Sequence, residues 1–444
     1  MANPISHGQA LIKERPPEPL MTKVTAALTG QVGVFLLGAI TNILLARTLG
    51  PAGKGTFSLT ILIATTVMTL THLSLSNANT HYMSKNPSDR PATVGNSVFI
   101  AFVWGMIVTV LAFAFFNYFG SKLFPELGIR FWGMALAAVV PLLLFEIGGG
   151  LVLGIDRMRD YSTTLILREG LFLLGALFLY SQGIISPSGA VALWVVATTI
   201  AAFANLSVAW RGTEKGKSVS IALFKSMAGY SGKSHIANVT SFLRLRFDMF
   251  LVAGFLSVTE VGYYGIAVTL IGLLWFIPTA VSQALVPYIS LRDNETANDL
   301  TPRLCRISFI IALFGAVLLG SAGYAIIGTL FGKVFLPAYI PLLVLLPGAL
   351  FYGLAKMLAG DLLGRGMPGY AMTISAIAFA VNLCINMVFI PRWGITGAAL
   401  SASLTQILVG ILFIRSFVKA SDVKVSELFI IQRDDFSKLW RADR

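Results

Sequence analysis

The sequence predicts an all-α polytopic membrane protein, with twelve transmembrane helices in two pseudo-symmetric six-helix bundles. Composition is the first observation: of 444 residues, 56% are hydrophobic and only 12% charged, about half the charged fraction of an average soluble domain. That much apolar surface cannot be hidden in soluble cores of ordinary size. The second is the recurrence of apolar runs of about 20 residues, the helical length that crosses ~30 Å of hydrocarbon. A porin-type barrel would alternate polar and apolar at every second position, and runs such as 98–116 and 132–144 do not. The third is a weak internal repeat, described below.

Residues 1–23 form an N-terminal segment with Lys13 and Arg15 but no apolar signal-type core, so the first apolar helix reads as an uncleaved anchor. Spans are expected over 24–47, 56–82, 93–118, 131–153, 161–180, 188–210, 234–256, 261–289, 304–328, 338–359, 368–390 and 394–418. With the N-terminus inside, 23 Lys and Arg residues fall on the cytoplasmic side. Among them are Lys85, Arg90, Arg157, Arg211, Lys225, Arg303 and Arg365. Six fall outside (Arg47, Lys54, Lys122, Arg130, Lys333, Arg392) and four lie within spans. This bias places both termini in the cytoplasm. The net charge of +13, which would suggest nucleic acid in a soluble protein, therefore serves topology, and no nucleic-acid partner is expected.

The basic connection 211–233 divides the chain into bundles 24–210 and 234–418, followed by a tail over 419–444. Leu49–Gly55 aligns with Leu256–Gly262 at an offset of 207, and Leu153-Gly154…Tyr161 and Gly189-Ala190 recur as Leu363-Gly364…Tyr370 and Gly397-Ala398 at offsets of 208 to 210. An even number of spans per half makes the repeat parallel, the kind that builds transporters around a central site.

Ionisable groups inside spans cost at least ~2.5–3.5 kcal/mol each, so each is a candidate for function. The seventh span carries Arg244, Arg246 and Asp248 about 12–18 Å deep at 1.5 Å per residue. Arg244 and Asp248, at i,i+4, can pair on one face, either as a structural salt bridge or as part of the cationic wall of a water-filled cavity. Arg246 points elsewhere, free to grip a phosphate with two parallel hydrogen bonds. Arg168 and Glu169 in the fifth span and Glu146 in the fourth can neutralise one another. Asp248, Glu146 and Glu169 are the candidate ion-coupling carboxylates. Lys356, near the end of the tenth span, either snorkels or faces a cavity.

The second span is too polar for a lipid-facing helix; its His72 and Asn77 are further candidate substrate contacts. Gln31, Asn42, Gln283, Asn382, Asn386, Ser401, Ser403 and Gln406 read first as interhelical hydrogen-bonding residues and second as sugar-binding groups. Arg47 reads as an interface anchor, and Pro278, Pro287, Pro341 and Pro347 as helix-kinking residues. Cys305 and Cys384 support neither a disulfide nor a metal site. No nucleophile-base pair, phosphate loop or dinucleotide fingerprint occurs, so neither an enzyme nor a cofactor is expected. Ser426–Trp440 places Leu428, Ile431, Phe436, Leu439 and Trp440 on one helical face, suited to the inner membrane surface.

The segment Leu44-Leu-Ala-Arg-Thr-Leu-Gly-Pro-Ala-Gly-Lys-Gly-Thr-Phe57 resembles the first loop of lipid-linked oligosaccharide flippases. These form the polysaccharide transporter family of the multidrug/oligosaccharidyl-lipid/polysaccharide exporter superfamily. Arg246-Phe-Asp248 with Val261-Gly-Tyr-Tyr264 resembles the start of that family's second half. Leu363-Gly-Arg-Gly366 with Ile390-Pro-Arg-Trp-Gly-Ile-Thr-Gly-Ala-Ala399 resembles its closing helices. The resemblance implies a V-shaped pair of bundles that alternates access and moves a polyprenyl pyrophosphate-linked glycan across the inner membrane. It further implies work alongside membrane lipids, a polysaccharide polymerase and chain-length proteins, for O-antigen, capsule or exopolysaccharide. Two other readings stand beside it. One is a cation antiporter of the same superfamily, which typically needs a carboxylate in the first span where this chain offers only Gln31 and Asn42. The other is a scaffold without transport.

Overall fold

A computed structural model describes residues 20–85, 87–213, 219–290, 294–421 and 423–430, and no strand occurs among them. The first half holds α1 (Leu20–Thr71), α2 (Leu75–Lys85), α3 (Arg90–Leu123), α4 (Ile129–Ala137), α5 (Val139–Gly154), α6 (Met158–Ser181) and α7 (Pro187–Arg211). The second holds α8 (Ile221–Phe255), α9 (Val258–Gly272), α10 (Phe276–Ser290), α11 (Asn294–Ile326), α12 (Tyr339–Gly364) and α13 (Pro368–Ser421). Helix starts follow from local chemistry. The hydroxyls of Ser186, Ser220 and Ser257 each accept a hydrogen bond from the backbone three residues on, which satisfies a donor the helix leaves open.

α1 and α13 each turn back at a glycine in the left-handed region, Gly50 (φ 65°) and Gly394 (φ 59°). A Cβ at Gly397 would lie 2.2 Å from the Phe389 carbonyl oxygen, positions that a continuous helix would hold ~12 Å apart. In α1, Gly30 touches Ser162 while Phe57 stacks on Phe172 at 5.9 Å, far apart along α1 but only ten residues apart along α6. Helix therefore underlies most of each expected span, with a break inside the second. Nine stretches of the described residues are long and apolar enough to cross a membrane. α8 is not among them, because its serines, asparagine and arginines dilute its apolar residues.

The repeat is visible as reciprocal packing. A Cβ at Gly55 would lie 1.6 Å from the Val258 carbonyl oxygen, and one at Gly262 would lie 2.2 Å from that of Pro51. Gly55 and Gly262 are equivalent in the repeat, as are Pro51 and Val258, so each half makes the same contact to the other. A twofold axis imposes that pattern. The halves also share internal crossings. Gly150 and Gly154 of α5 lie on Ser76 and Asn79 of α2, whereas Gly360 and Gly364 of α12 lie on Ser282 and Val286 of α10. At the Gly50 end both halves contribute to one apolar cluster, from Leu45 and Phe57 to Tyr264 and Leu342. Toward the opposite end each half keeps its own.

Four expectations need correction. The second span is not one helix: it breaks at His72–Ser74, where Leu73 and Ser74 have φ 51° and 49°. The break releases three successive carbonyls, and each meets a ring nitrogen. Thr69 bonds the His72 imidazole at 2.8 Å, Leu70 that of His235 at 3.2 Å, and Thr71 the Trp104 indole at 2.9 Å. This is how buried backbone groups are satisfied where a helix cannot supply partners. The connection 211–233 is shorter than expected, since α8 starts at Ile221. Arg47 is more than an anchor: it donates to the Leu330 carbonyl at 2.8 Å and to that of Thr329, clamping one half to the other. Of the tail's apolar face, Leu428 is buried in the second half and Arg306 donates to the Glu427 carbonyl. Ile431, Phe436, Leu439 and Trp440 lie outside the described residues.

Candidate functional site

A cavity of about 300 Å³ opens in the second half between α8, α9, α12 and α13, with Arg244, Arg246, Asp248, Tyr264, Trp275, Asn382 and Gln406 in its wall. Trp275 reaches it because the eighth span tightens into a 3₁₀ turn at Leu273–Trp275, just ahead of Pro278, whose ring cannot follow an unbroken helix. Its indole is fixed by a 3.0 Å bond to the Ala349 carbonyl.

Within the cavity the Arg244–Asp248 pair that the spacing allows is not formed. Asp248 is buried and takes hydrogen bonds from the Tyr264 hydroxyl at 2.5 Å and the Met249 amide at 2.8 Å. The cation that acts on this carboxylate is Arg246. Arg244 turns the other way, donating to the Tyr352 hydroxyl at 3.0 Å with its guanidinium 5.0 Å from the ring centre. Its Nε is buried without a hydrogen-bond partner. Local geometry decides this: i,i+4 spacing permits a pair, but the tyrosine hydroxyl sixteen residues on captures the carboxylate first.

Lys356 does not snorkel to the membrane surface. It donates to Thr279 at 3.0 Å and lies 5.4 Å from the Tyr352 ring and 5.8 Å from that of Trp275. Two cations thus share one tyrosine ring, an arrangement that aromatic quadrupoles stabilise, and neither forms an ion pair among the described residues. Tyr352, Trp275 and Tyr264 were not singled out as site residues from sequence, although Tyr264 closes the Val261-Gly-Tyr-Tyr264 motif.

The remaining candidates lie elsewhere. Arg168 and Glu169 form an ion pair at 2.7 Å in the first half, with the Arg168 guanidinium 4.7 Å from the Phe145 ring. Glu146 interacts with Arg168 through charge. His72 belongs to the break between α1 and α2, its ring 5.4 Å from that of His235, and Asn77 is exposed beside it. Asn382 donates to Thr405 at 3.3 Å between the two arms of α13, the interhelical role expected, accepts from Asn386 one turn along its own arm at 2.9 Å, and also faces the cavity. Among the described residues no group of three His, Cys, Asp or Glu side chains could hold a metal.

The family described as "Polysaccharide biosynthesis protein" matches residues 20–291, more than half of the chain. The chain belongs to this family. The resemblance read from Leu44–Phe57 agrees with it. A probable low-salt glycan biosynthesis flippase, Agl15, of Haloferax volcanii is 24% identical over 212 residues, 45% of this chain and 44% of that protein. A second probable flippase of that organism, AglR, is 29% identical over 39% of this chain and 38% of its own length. A putative O-antigen transporter of Shigella flexneri is 24% identical over 43% of this chain and 46% of its own. The chain thus spans less than half the length of each of these relatives. Among solved structures, the lipid II flippase MurJ in an inward closed conformation has a TM-score of 0.75 at 16% identity, covering 94% of this chain and 91% of that one. An inward-facing multidrug resistance MATE family transporter reaches 0.73 at 14%, covering 91% and 98%. At such identities these neighbours share the fold.

Proposed function

We propose that this polysaccharide-family membrane protein is a flippase. It would move a polyprenyl pyrophosphate-linked oligosaccharide between leaflets by alternating access, for O-antigen, capsule or exopolysaccharide assembly. The observation that carries the reading is the charge balance at the cavity: Arg244, Arg246 and the adjacent Lys356 against Asp248, whose oxygens are already engaged by Tyr264 and Met249. A pyrophosphate is the complementary cargo. At an effective dielectric of about 20, a charge pair ~4 Å apart is worth roughly 4 kcal/mol before desolvation is subtracted. A guanidinium supplies bidentate geometry besides charge. Hydroxyl-rich glycan and phosphate cannot cross hydrocarbon unaided, so the polar group needs the cavity while the lipid tail stays in the bilayer. Arg168, His72 and Asn77 would then act outside this anion site, and Asp248, Glu146 and Glu169 remain the proposed coupling carboxylates. A polymerase and chain-length proteins are the proposed downstream partners.

Purified protein in liposomes tests the reading. Translocation of a polyprenyl pyrophosphate glycan is expected. Efflux of cationic dyes driven by a pH or sodium gradient, with no movement of the glycolipid, would replace it with a cation antiporter. We further propose both termini in the cytoplasm of the inner membrane, from the charge bias between connections. Single cysteines replacing Lys333 and Thr213 check this, since an impermeant thiol reagent should label the first in intact cells and spare the second.

A further inference from the structure

A second cavity, about 600 Å³, lies between the beginning of α13 and its end, walled by Ile374, Ile377 and Leu412 and rimmed by Tyr370, Arg415 and Lys419. It is separate from the arginine cavity and shares no residue with it. Arg415 and Lys419 are one helical turn apart on the same face. Both are exposed, and neither has a hydrogen bond, ion pair or ring contact among the described residues. The groove's floor is fixed from behind. Arg365 forms a buried ion pair with Asp361 at 2.5 Å and lies 5.7 Å from the Phe417 ring, and Thr301 donates to Asp361 at 2.6 Å. Phe417, wholly buried, stands between the residues that line the groove at 416 and 419.

From this arrangement we propose that the α13 groove binds one anionic phospholipid of the surrounding bilayer, with an acyl chain along Ile374, Ile377 and Leu412 and the phosphate between Arg415 and Lys419. Charge complementarity commits the occupant. Two unpartnered cations at the end of a membrane-spanning pair attract a phosphate at headgroup level, and the walls below them are apolar. The volume suits a lipid tail: it holds on the order of 20 water-sized groups, far more than an ion needs. The Tyr370 hydroxyl supplies a neutral hydrogen bond at the same level, as aromatic residues of membrane interfaces do. The inference rests on the chain spanning a membrane and not on what it transports, so failure of the glycolipid assay leaves it intact.

The test is native mass spectrometry of the full-length protein in detergent, titrated with phosphatidylglycerol, with phosphatidylcholine of the same tails, and with a polyprenyl phosphate. One retained phosphatidylglycerol per chain is expected, held more tightly than phosphatidylcholine. Arg415→Gln with Lys419→Gln should weaken it roughly 30-fold, the factor that two cations worth about 1 kcal/mol each supply. Ile377→Trp, which fills the groove and keeps both charges, should also displace it. The control pair Arg211→Gln with Lys225→Gln, two exposed cations elsewhere, should leave it bound. Equal loss in the control, unchanged binding by Ile377→Trp, equal retention of phosphatidylcholine, or retention of polyprenyl phosphate alone would each overturn the proposal.

Discussion

At equivalent places in their shared scaffold, the two halves carry opposite charge. Four residues before the glycine that crosses the second helix of its half, the first half has Glu146 (before Gly150) and the second has Lys356 (before Gly360). The surroundings differ in the same sense. Arg168 of the first half spends its Nε and Nη2 on Glu169 at 3.0 and 2.7 Å. In the second half Arg244 and Lys356 share the Tyr352 ring, and the nearby carboxylate is held by Tyr264. One scaffold thus supports an ion-paired cluster with carboxylate in excess on one side and cations without an ion pair on the other. Burying unpaired charge is costly, and it is beside these second-half cations that the proposed function puts the anionic cargo.

The largest expected effect breaks that contrast from both sides. Arg244→Ala with Arg246→Ala should abolish glycolipid transport at normal protein levels, since neither guanidinium is spent in an ion pair. Arg246→Lys should retain part by keeping charge without bidentate geometry. Arg168→Ala with Glu169→Ala removes a pair outside the anion site and should leave glycolipid binding largely intact while lowering gradient-driven transport, as loss of a proposed coupling carboxylate requires. Arg168→Ala alone strands two carboxylates and should lower stability by up to about 3 kcal/mol, read as a fall in Tm in detergent. If the Arg168–Glu169 double variant abolished glycolipid binding while the Arg244–Arg246 double variant did not, the functional roles of the two halves would be exchanged.

A smaller effect is expected at the seam where the halves meet as equals. Gly55→Ala would drive a Cβ into the Val258 backbone, which no side-chain rotation relieves. Overpacking of this kind costs typically 1–3 kcal/mol. Gly133→Ala in α4, with nothing within 4 Å of its added Cβ, is the matched control and should leave Tm unchanged or slightly raised. Equal behaviour of the two variants would show that the Gly55–Gly262 contact does not hold the halves together.

Sequence made the helices, the division into halves and the repeat legible because each is written in apolar periodicity or in glycines that packing requires. The offset of 207 that aligns Leu49–Gly55 with Leu256–Gly262 is the offset across which those loops touch. What sequence could not show is which of several near neighbours a polar group selects. Asp248 had Arg244 one turn away and Tyr264 sixteen residues on, and only the angle between α8 and α9 decides for the tyrosine. Lys356 looked free to snorkel because Thr279 and Trp275 reach it only once the eighth span crosses α12, although Tyr352 lies one turn back on α12 itself. The break at His72–Ser74 was hidden for a related reason. A threonine-rich helix without proline carries no stop signal, and the rings that satisfy the freed carbonyls come from three separate elements.

The smallest predicted effect sharpens the comparison to a single atom. Arg168 lies over Phe145 and Arg244 over Tyr352, at 4.7 and 5.0 Å, so the two halves stack an arginine on an aromatic ring and differ by one hydroxyl. Tyr352→Phe gives the second half the ring of the first. It keeps the cation–π contact of both Arg244 and Lys356 and removes the 3.0 Å bond from Arg244 Nη2. Such a bond to a charged group is worth about 1.5–3 kcal/mol when a buried partner is stranded, and nearer 1 kcal/mol where solvent or ligand can replace it. Beside a cavity the lower figure applies, so apparent glycolipid affinity should change by about fivefold or less. The direction is informative. If the hydroxyl only orients Arg244, its loss weakens binding; if it competes with the phosphate for the same guanidinium edge, its loss tightens binding. Measuring glycolipid affinity for Tyr352→Phe and Tyr352→Ala separates these effects. The alanine variant, which also lets both cations swing free of the ring, should be the weaker binder, and an alanine variant indistinguishable from wild type would remove the ring from the site.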